Sequence, residues 1–280
     1  MENVSNAKRI TFQTGQVQVP TASPDGEEVA YLSDSGGHAN VWVARVRGSG
    51  DSRQVTHEWD PQIVIGLPLW SPRGDYIAYY RQRTGGSAEL WLVHPDGSGP
   101  RRLTETGGGA SWSPDGEWVF HMSASDAMTH TKSTEKIHVD GGDPVPVRSD
   151  AAGILVTSDG STAYFSPSTD RQGEVWQATP VETGTAQPLV EGLQSRIPMW
   201  PHHYHLSSND RWLAVPLRDR GTTNLWIVST ETGELVQVTD FEQRATTIGR
   251  QVSWSSDDEH IFAALLETDA DIVLVDGALR

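Results

Sequence analysis

The chain reads as an all-β, six-bladed β-propeller of four-stranded antiparallel blades, and three observations carry that prediction. A four-residue turn recurs along it. Ser23-Pro24-Asp25-Gly26 and Ser113-Pro114-Asp115-Gly116 are identical, and Ser71-Pro72-Arg73-Gly74 differs at a single position. Weaker copies stand at Thr157-Ser158-Asp159-Gly160, Ser207-Ser208-Asn209-Asp210 and Ser255-Ser256-Asp257-Asp258. The interval, roughly 40 to 50 residues, is that of propeller blades. Each turn is followed by the same succession of short β-branched and aromatic runs, with no sustained helical period. Finally, the two ends of the chain complement each other as halves of one blade.

The elements of a blade follow in order. The strand after the turn is Val29-Ala30-Tyr31, Tyr76-Ile77-Ala78-Tyr79, Trp118-Val119-Phe120, Trp212-Leu213-Ala214-Val215 or Ile261-Phe262-Ala263. A polar connection leads to a strand centred on a bulky residue: Val41-Trp42-Val43, Leu90-Trp91-Leu92, Val175-Trp176, Leu225-Trp226-Ile227 and Ile272-Val273-Leu274. Hairpin turns such as Asp96-Gly97, Asp140-Gly141 and Asp276-Gly277 close several of these. A fourth strand reads apolar-Thr at Val55-Thr56, Leu103-Thr104 and Val238-Thr239. One propeller domain over 1–280 is expected, with blades near 16–60, 61–106, 107–150, 151–193, 194–242, and 243–280 plus 8–12. The last unit lacks a fourth strand, and Arg9-Ile10-Thr11 resembles Arg102-Leu103-Thr104. Residues 8–12 are therefore expected to complete the last blade and leave no open edge. Trp70, Trp112 and Trp254 each precede a turn on the innermost strand, where an indole packs between blades.

Composition narrows the function. Hydrophobic residues make up 36% of the 280, and the net charge is −16. That charge argues against nucleic acid, which is bound through basic surface, and against anionic membranes. Cationic ligands, metals and basic protein partners fit it. Without cysteine there is no disulfide, thiolate site or thiol nucleophile. Met1 to Lys8 is polar and lacks the apolar core of a signal peptide, and no apolar run reaches the ~18 residues of a membrane span. The expectation is a soluble monomer without membrane insertion, cytoplasmic as written or periplasmic as a processed mature form.

The repeats resemble the TolB-like, or PD40, group of WD40-like β-propellers over nearly the whole chain. That resemblance implies a ring with a central channel and a binding mouth. Its relatives include the propeller of the Tol–Pal envelope system, the gating propellers of prolyl-oligopeptidase-type and tricorn peptidases, oligogalacturonate lyases, and propellers of bacterial signalling proteins. The resemblance implies fold more specifically than role.

Turns between first and second strands, and between third and fourth, emerge on one face and are short here. The opposite face carries the longer connections, His57 to Gly66, Ser123 to Thr134, Glu191 to Pro201 and Asp240 to Gly249. The functional mouth is expected there, because binding residues gather on long loops of rigid scaffolds.

The densest reactive cluster is Trp200-Pro201-His202-His203-Tyr204-His205, on the approach to the fifth inner strand. Residues two apart on a strand share a face, so His203 and His205 are candidate ligands for a divalent metal, Mn²⁺, Zn²⁺ or Ca²⁺. A histidine pair on an inner strand is similar to that of the oligogalacturonate lyases, although Trp200 stands where those have Gln. A third ligand would come from His38, His57, His121 or His130. The bland alternatives are a packed His205 and a wet channel, with no cofactor at all. Counting back from each turn, His202 and His203 match Gln18 and Val19, Gly66 and Leu67, Gly108 and Gly109, Ala152 and Gly153, and Arg250 and Gln251. Small residues in blades two to four leave space, and Gln18, Trp200, His202, His203, His205, Arg250 and Gln251 are the candidate ligand-binding set around it. Such a lining suits a small anionic or sugar-like ligand, or a protein or peptide. Exposed Trp59 and Trp200 are candidate stacking or anchoring residues. Asp269 and Asp271 alternate on one strand, an acidic pair more typical of a solvated face than of Ca²⁺ binding, and Arg218-Asp219-Arg220 reads as a surface ion-pair patch. Gly107-Gly108-Gly109 lacks the Lys and helix of a phosphate loop. No Gly-x-Ser-x-Gly elbow is present, so catalytic residues are not assigned and recognition is favoured over catalysis.

Overall fold

The computed structural model describes residues 8–12, 15–47, 51–123, 133–167, 174–193, 196, 204–219, 221–241 and 246–267. Blade one is built from β1 (Val17–Ala22), β2 (Glu28–Ser33), β3 (Asn40–Arg45) and β4 (Ser52–Gln54). Blade two has β5 (Ile63–Trp70), β6 (Ile77–Arg83), β7 (Ala88–Val93) and β8 (Arg101–Thr104). Blade three has β9 (Ser111–Trp112), β10 (Trp118–Met122), β11 (Thr134–His138) and β12 (Val145–Arg148). Blade four has β13 (Ala151–Val156), β14 (Ala163–Pro167), β15 (Val175–Ala178) and β16 (Gln187–Val190), and blade five β17 (His205–Leu206), β18 (Trp212–Asp219), β19 (Thr222–Ser229) and β20 (Leu235–Gln237). Each of these sheets is an antiparallel meander in sequence order. Blade six is described through β21 (Thr246–Trp254) and β22 (Ile261–Glu267). Its remaining strands, expected from Ile272-Val273-Leu274 and residues 8–12, are not seen: 268–280 lie outside the described residues. Residues 8–12 are irregular, and Ile10 packs with Val29, Tyr31 and Phe262 at the seam of blades one and six. The fold is a six-bladed β-propeller. Among the described residues no helix is long and apolar enough to cross a membrane.

The recurrent turn works the same way in five of the six blades. Its first residue accepts the amide five positions on, as in Glu28 N–H to Ser23 Oγ (2.9 Å) and Trp212 N–H to Ser207 Oγ (3.0 Å). The same hydroxyl donates to the third residue, Ser23 to Asp25 at 2.6 Å and Thr157 to Asp159 at 2.6 Å. That carboxylate in turn accepts a backbone amide, Glu27 N–H in blade one. The hydroxyl bonds, and then the amides, hold Asp25, Asp115, Asp159 and Asp257 below the usual carboxylate range. In blade two Arg73 takes the third place, and Ser71 donates to Asp75 instead (2.8 Å).

The fourth turn residue is left-handed, with φ of 72° at Gly26, 77° at Gly74, 60° at Asp210 and 57° at Asp258. A Cβ at Gly74 or Gly116 would press on the preceding blade's turn, at Pro24 and Arg73 respectively. The two aspartates exploit that proximity. Asp210 accepts Ser158 N–H (3.0 and 2.9 Å) and Ser158 Oγ–H (2.5 Å). Asp258 accepts Ser208 N–H (2.6 Å) and Asn209 N–H (2.9 Å). The divergent turns are therefore compensated rather than weakened. After a turn with Pro second, which offers no N–H, the next turn has Gly. After Ser158 or Ser208, which offers one, the next has Asp.

Hydrogen bonds also join neighbouring blades around the whole ring, between inner strands everywhere except at the junction of blades four and five, where Glu174 borders β15. Trp70 N–H donates to Thr21 Oγ1 (3.2 Å), Trp112 Nε1–H to Leu69 O (3.2 Å), and Ser111 Oγ–H to Ile154 O. Tyr204 O–H donates to Glu174 O (3.1 Å), and Trp254 Nε1–H to His205 O (3.0 Å). Ala22 N–H to Ser253 Oγ (3.1 Å) joins blade six to blade one. The tryptophans before the turns pack into the preceding blade as expected. Trp70 joins Ala30, Val41 and Val43, Trp112 joins Ala78, Leu90 and Leu92, and Trp254 joins Ala214 and Leu225.

Candidate functional site

The inner strands enclose an axial cavity of about 620 Å³. At one end it is rimmed by the turns, through Pro24, Pro72, Pro114, Ser158, Ser208 and Ser256. Its wall reaches Gln82 and Ala88 at the β6–β7 hairpin on the opposite face. The lining is mostly apolar: Leu67, Leu69, Trp70, Trp112, Met122, Leu155, Leu206 and Trp254 alternate with serine and threonine hydroxyls.

A break in four of the six inner strands shapes this wall. The ladder to the second strand skips between Gln18 and Thr21, Gly66 and Leu69, Ala151 and Ile154, and Ile248 and Val252. These are bulges, which bend a strand and re-aim its side chains. Within three of them the chain is left-handed, at Val19 (φ 56°), Leu67 (49°) and Gly153 (78°), and it is left-handed at Gly109 (56°) ahead of β9. For the two residues with side chains this costs on the order of 1–3 kcal/mol each, compensated by the surrounding sheet. The positions aligned on the turns thus mark bulges in blades one, two, four and six, with Gln251 inside the last of them.

The sequence expectation of open space beside the glycines needs correction. A side chain on Gly66 would overlap the Tyr80 ring, which occupies that place. In blade three the Met122 thioether fills the equivalent place, 3.0 Å from a Cβ at Gly109. Bulky second-strand side chains thus use the room that small inner-strand residues provide, and the wall becomes apolar.

Of the candidate set, His205 and Gln251 line the cavity. Gln18 is half-buried outside that lining, its Nε2–H donating to Gln16 Oε1 (3.2 Å). Trp200, His202 and His203 lie outside the described residues, as do the side chain of Arg250 and His130, Asp269 and Asp271. His205 Nδ1 accepts Trp254 N–H at 3.3 Å, which requires a neutral imidazole. Burial pushes its pKa down to about 4. Two before the turn, His205 is in register with Thr21 and Ser253, whose hydroxyls accept the same amide of the next blade. That alignment was the available sequence signal for a structural tie, and the histidine count obscured it.

The other histidines are dispersed. His121 is fully buried on β10 with Nδ1 on Met122 O (3.2 Å), and burial lowers its pKa. His38 lies between Ala39 O and Asp60 O (3.1 and 3.0 Å), and His57 is exposed. Among the described residues, the grouping that brings metal-ligand types together is Asp257, Glu259 and His260, exposed at the sixth turn. Asp257 already serves that turn through Ser255 and the Glu259 amide. Trp59 is 82% exposed on the loop before β5.

No protein-family model matches the chain. Over 138 residues, 46% of it, the chain is 29% identical to an uncharacterized peptidase, YuxL, of Bacillus subtilis, matching 20% of that protein. A 53-residue stretch, 18% of the chain, is 49% identical to the Tol-Pal system protein TolB of Gluconobacter oxydans, matching 12% of it. The chain therefore spans only a small part of these curated relatives. Among solved structures it is similar to a putative TolB from Agrobacterium tumefaciens, with a TM-score of 0.72, 17% identity and 96% of each chain covered. An oligogalacturonate lyase in complex with manganese is similar at a TM-score of 0.57 and 12% identity, covering 79% of this chain and 68% of the lyase. These likenesses are of fold, and the architecture is TolB-like.

Proposed function

We propose that this chain is a recognition propeller, binding a protein or peptide segment at the mouth of the axial cavity on the loop-bearing face without catalysing a reaction. The cavity wall supports this reading most directly. Leu67, Leu69, Trp112, Leu206 and Trp254 offer apolar area for a segment's side chains, with the Gln251 amide beside it. In this reading Gln251, Arg250, Trp200, His202 and His203 form the polar rim, with Gln18 at its edge. A competing reading makes the channel the site of a metal-dependent lyase or hydrolase acting on uronic-acid-type sugars or another small anion. The engagement of His205 Nδ1 by the Trp254 amide favours recognition. A sensor or gating propeller of a larger signalling or peptidase system is the same recognition chemistry in another setting.

The test is selection of a displayed peptide library against the protein, followed by calorimetric titration of the enriched peptides. Leu67→Lys, which puts a charge on the cavity wall, is expected to abolish binding, and Arg250→Ala or Trp200→Ala to weaken it. Stoichiometric uptake of Mn²⁺, Zn²⁺ or Ca²⁺ accompanied by turnover of oligogalacturonate would refute the recognition reading. A Tol–Pal-type role also carries a periplasmic location, which cell fractionation checks.

A further inference from the structure

The inner strands β5, β9 and β21 each end in a tryptophan just before the turn, and these tryptophans use their donors to hold the blade before them. Trp254 uses both. Its amide N–H goes to His205 Nδ1 (3.3 Å) and its Nε1–H to His205 O (3.0 Å). Trp112 gives its Nε1–H to Leu69 O (3.2 Å). Trp70 gives its amide N–H to Thr21 Oγ1 (3.2 Å), but its Nε1–H has no hydrogen-bond partner among the described residues.

Trp70 is 7% exposed, so this donor is shut off from bulk water. A buried N–H without an acceptor is unfavourable and rare in folded proteins. The place of this one gives it a use. Trp42 on β3 and Trp226 on β19 also have unpartnered Nε1–H groups, but neither residue lines the axial cavity. Trp70 does, together with Thr21 and Ala22 of the preceding inner strand. The two equivalent indoles direct their N–H groups at that strand of the blade before them, the strand nearest the axis.

We propose that Trp70 Nε1–H, set like its equivalents toward the preceding inner strand and the axis, is the donor with which the cavity takes a carbonyl oxygen of a bound peptide segment. This donor belongs to the site proposed above for recognition, so its assignment rests on that reading. The ligand's chemistry follows from the rest of the wall. The acceptor is neutral, because Asp210 places a carboxylate in the same lining and the net charge of −16 repels anions. The side chains flanking it are apolar, to match Leu67, Leu69, Trp112 and Leu155. A sugar fits less well, since that wall leaves its hydroxyls unpaired. Gln251, in the lining and nearer the loop-bearing face, offers its amide to a neighbouring peptide group of the same segment. The free protein leaves the Trp70 donor unpaired, so a bond made in the complex displaces none made in the fold.

The probe is N-acetyl-Leu-Leu-amide, titrated into the isotope-labelled protein with the indole N–H and leucine methyl resonances observed by NMR. The indole resonance that Trp70→Phe removes is that of Trp70. If that variant does not fold, nuclear Overhauser contacts to the methyls of its cluster, Ala30, Val41 and Val43, assign the same resonance. In the free protein it is expected upfield of the Trp112 and Trp254 resonances, whose protons are hydrogen-bonded, and it is expected to move downfield saturably as the amide binds. The same dipeptide with a free carboxylate is expected to bind about tenfold more weakly, and Trp70→Phe to weaken binding of the amide by about as much. Trp70→Phe is also expected to lower the urea midpoint less than Trp112→Phe, which leaves the Leu69 carbonyl without its donor. A Trp70 resonance as far downfield in the free protein as that of Trp112 overturns the proposal, because the donor is then in use. A Trp70 resonance that stays fixed while the Leu67 and Leu69 methyls respond to the amide overturns it too, and leaves recognition standing. No response at either place, with this probe at millimolar concentration and with the library-selected peptides, overturns both.

Discussion

The pairing of Ser158 with Asp210 makes a quantitative forecast about the turns. Three terms set it. Asp210 accepts two donors of the preceding turn, the amide and hydroxyl of Ser158. Hydrogen bonds to charged groups are worth about 1.5–3 kcal/mol, and the exposure of this pair takes the low end, about 2 kcal/mol for the clasp. Holding a non-glycine residue left-handed costs about 1 kcal/mol, because Cβ crowds the carbonyl. Proline at the second position of a turn whose backbone already suits it gains about 0.5–1 kcal/mol by restricting the unfolded chain. The turns at Pro24, Pro72 and Pro114 show that this backbone accepts it. Asp210→Gly alone then loses the clasp and relieves the strain, a net loss of about 1 kcal/mol. In a Ser158→Pro background the clasp is already gone. There Asp210→Gly only relieves strain and is expected to stabilise by about 1 kcal/mol. The sign of one substitution reverses with the residue on the neighbouring blade. Urea unfolding of the four proteins, monitored by tryptophan fluorescence and compared at constant m-value, measures this. Additivity of the two substitutions within about 0.5 kcal/mol would refute the clasp.

Two further outcomes follow from the inner strands. His205 is neutral in the folded ring, its pKa lowered to about 4, while the unfolded chain binds a proton near 6.5. The unfolded state holds more protons between these values. Stability is therefore full above about pH 6.5 and falls toward pH 4, by up to about 3 kcal/mol. His205→Thr copies the tie made by Thr21 and is expected to flatten that part of the pH profile of the unfolding midpoint. Gly66→Ala would drive a methyl into the Tyr80 ring and is expected to destabilise by about 1–3 kcal/mol, with Tyr80→Ser restoring part of the loss in thermal unfolding.

What could be read from the sequence follows a physical division. Turn chemistry is local: a hydroxyl, a carboxylate and a left-handed residue within six positions make the turn, so each copy was visible. The succession of apolar runs is local as well, and it placed the five complete meanders and the tryptophans that pack one blade into the next. The lining of the axis is not local. Whether a glycine beside the axis leaves a hole depends on the facing residue of the second strand, such as Tyr80 or Met122. The bulge that brings the two together is a matter of register. His205 illustrates the same limit from the other side. Taken with its neighbours in sequence it belongs to a histidine cluster, but taken with its equivalents around the ring it belongs with Thr21 and Ser253.

The same reasoning gives the variable turns a role in assembly. A propeller must set each blade at a fixed angle to the next, and the turn ring is where successive blades approach most closely. Where Pro24, Pro72 and Pro114 stand, the following turn has glycine: Gly74 lies against the Pro24 ring, Gly116 against the Arg73 side chain, and Gly160 has open space beside it. In blades four to six the contact becomes polar and directed, each aspartate gripping the donors of the blade before it. The junction from blade six to blade one combines the two, for Ser256 faces Gly26 rather than an acid, at 3.0 Å from where a Cβ would stand. That junction is held instead by the Ser253 hydroxyl on the Ala22 amide, one layer deeper on the inner strands. The seam between the first and last blades is thus the one turn-to-turn contact with a serine donor and no carboxylate opposite it, which makes it the joint most open to adjustment as the ring closes.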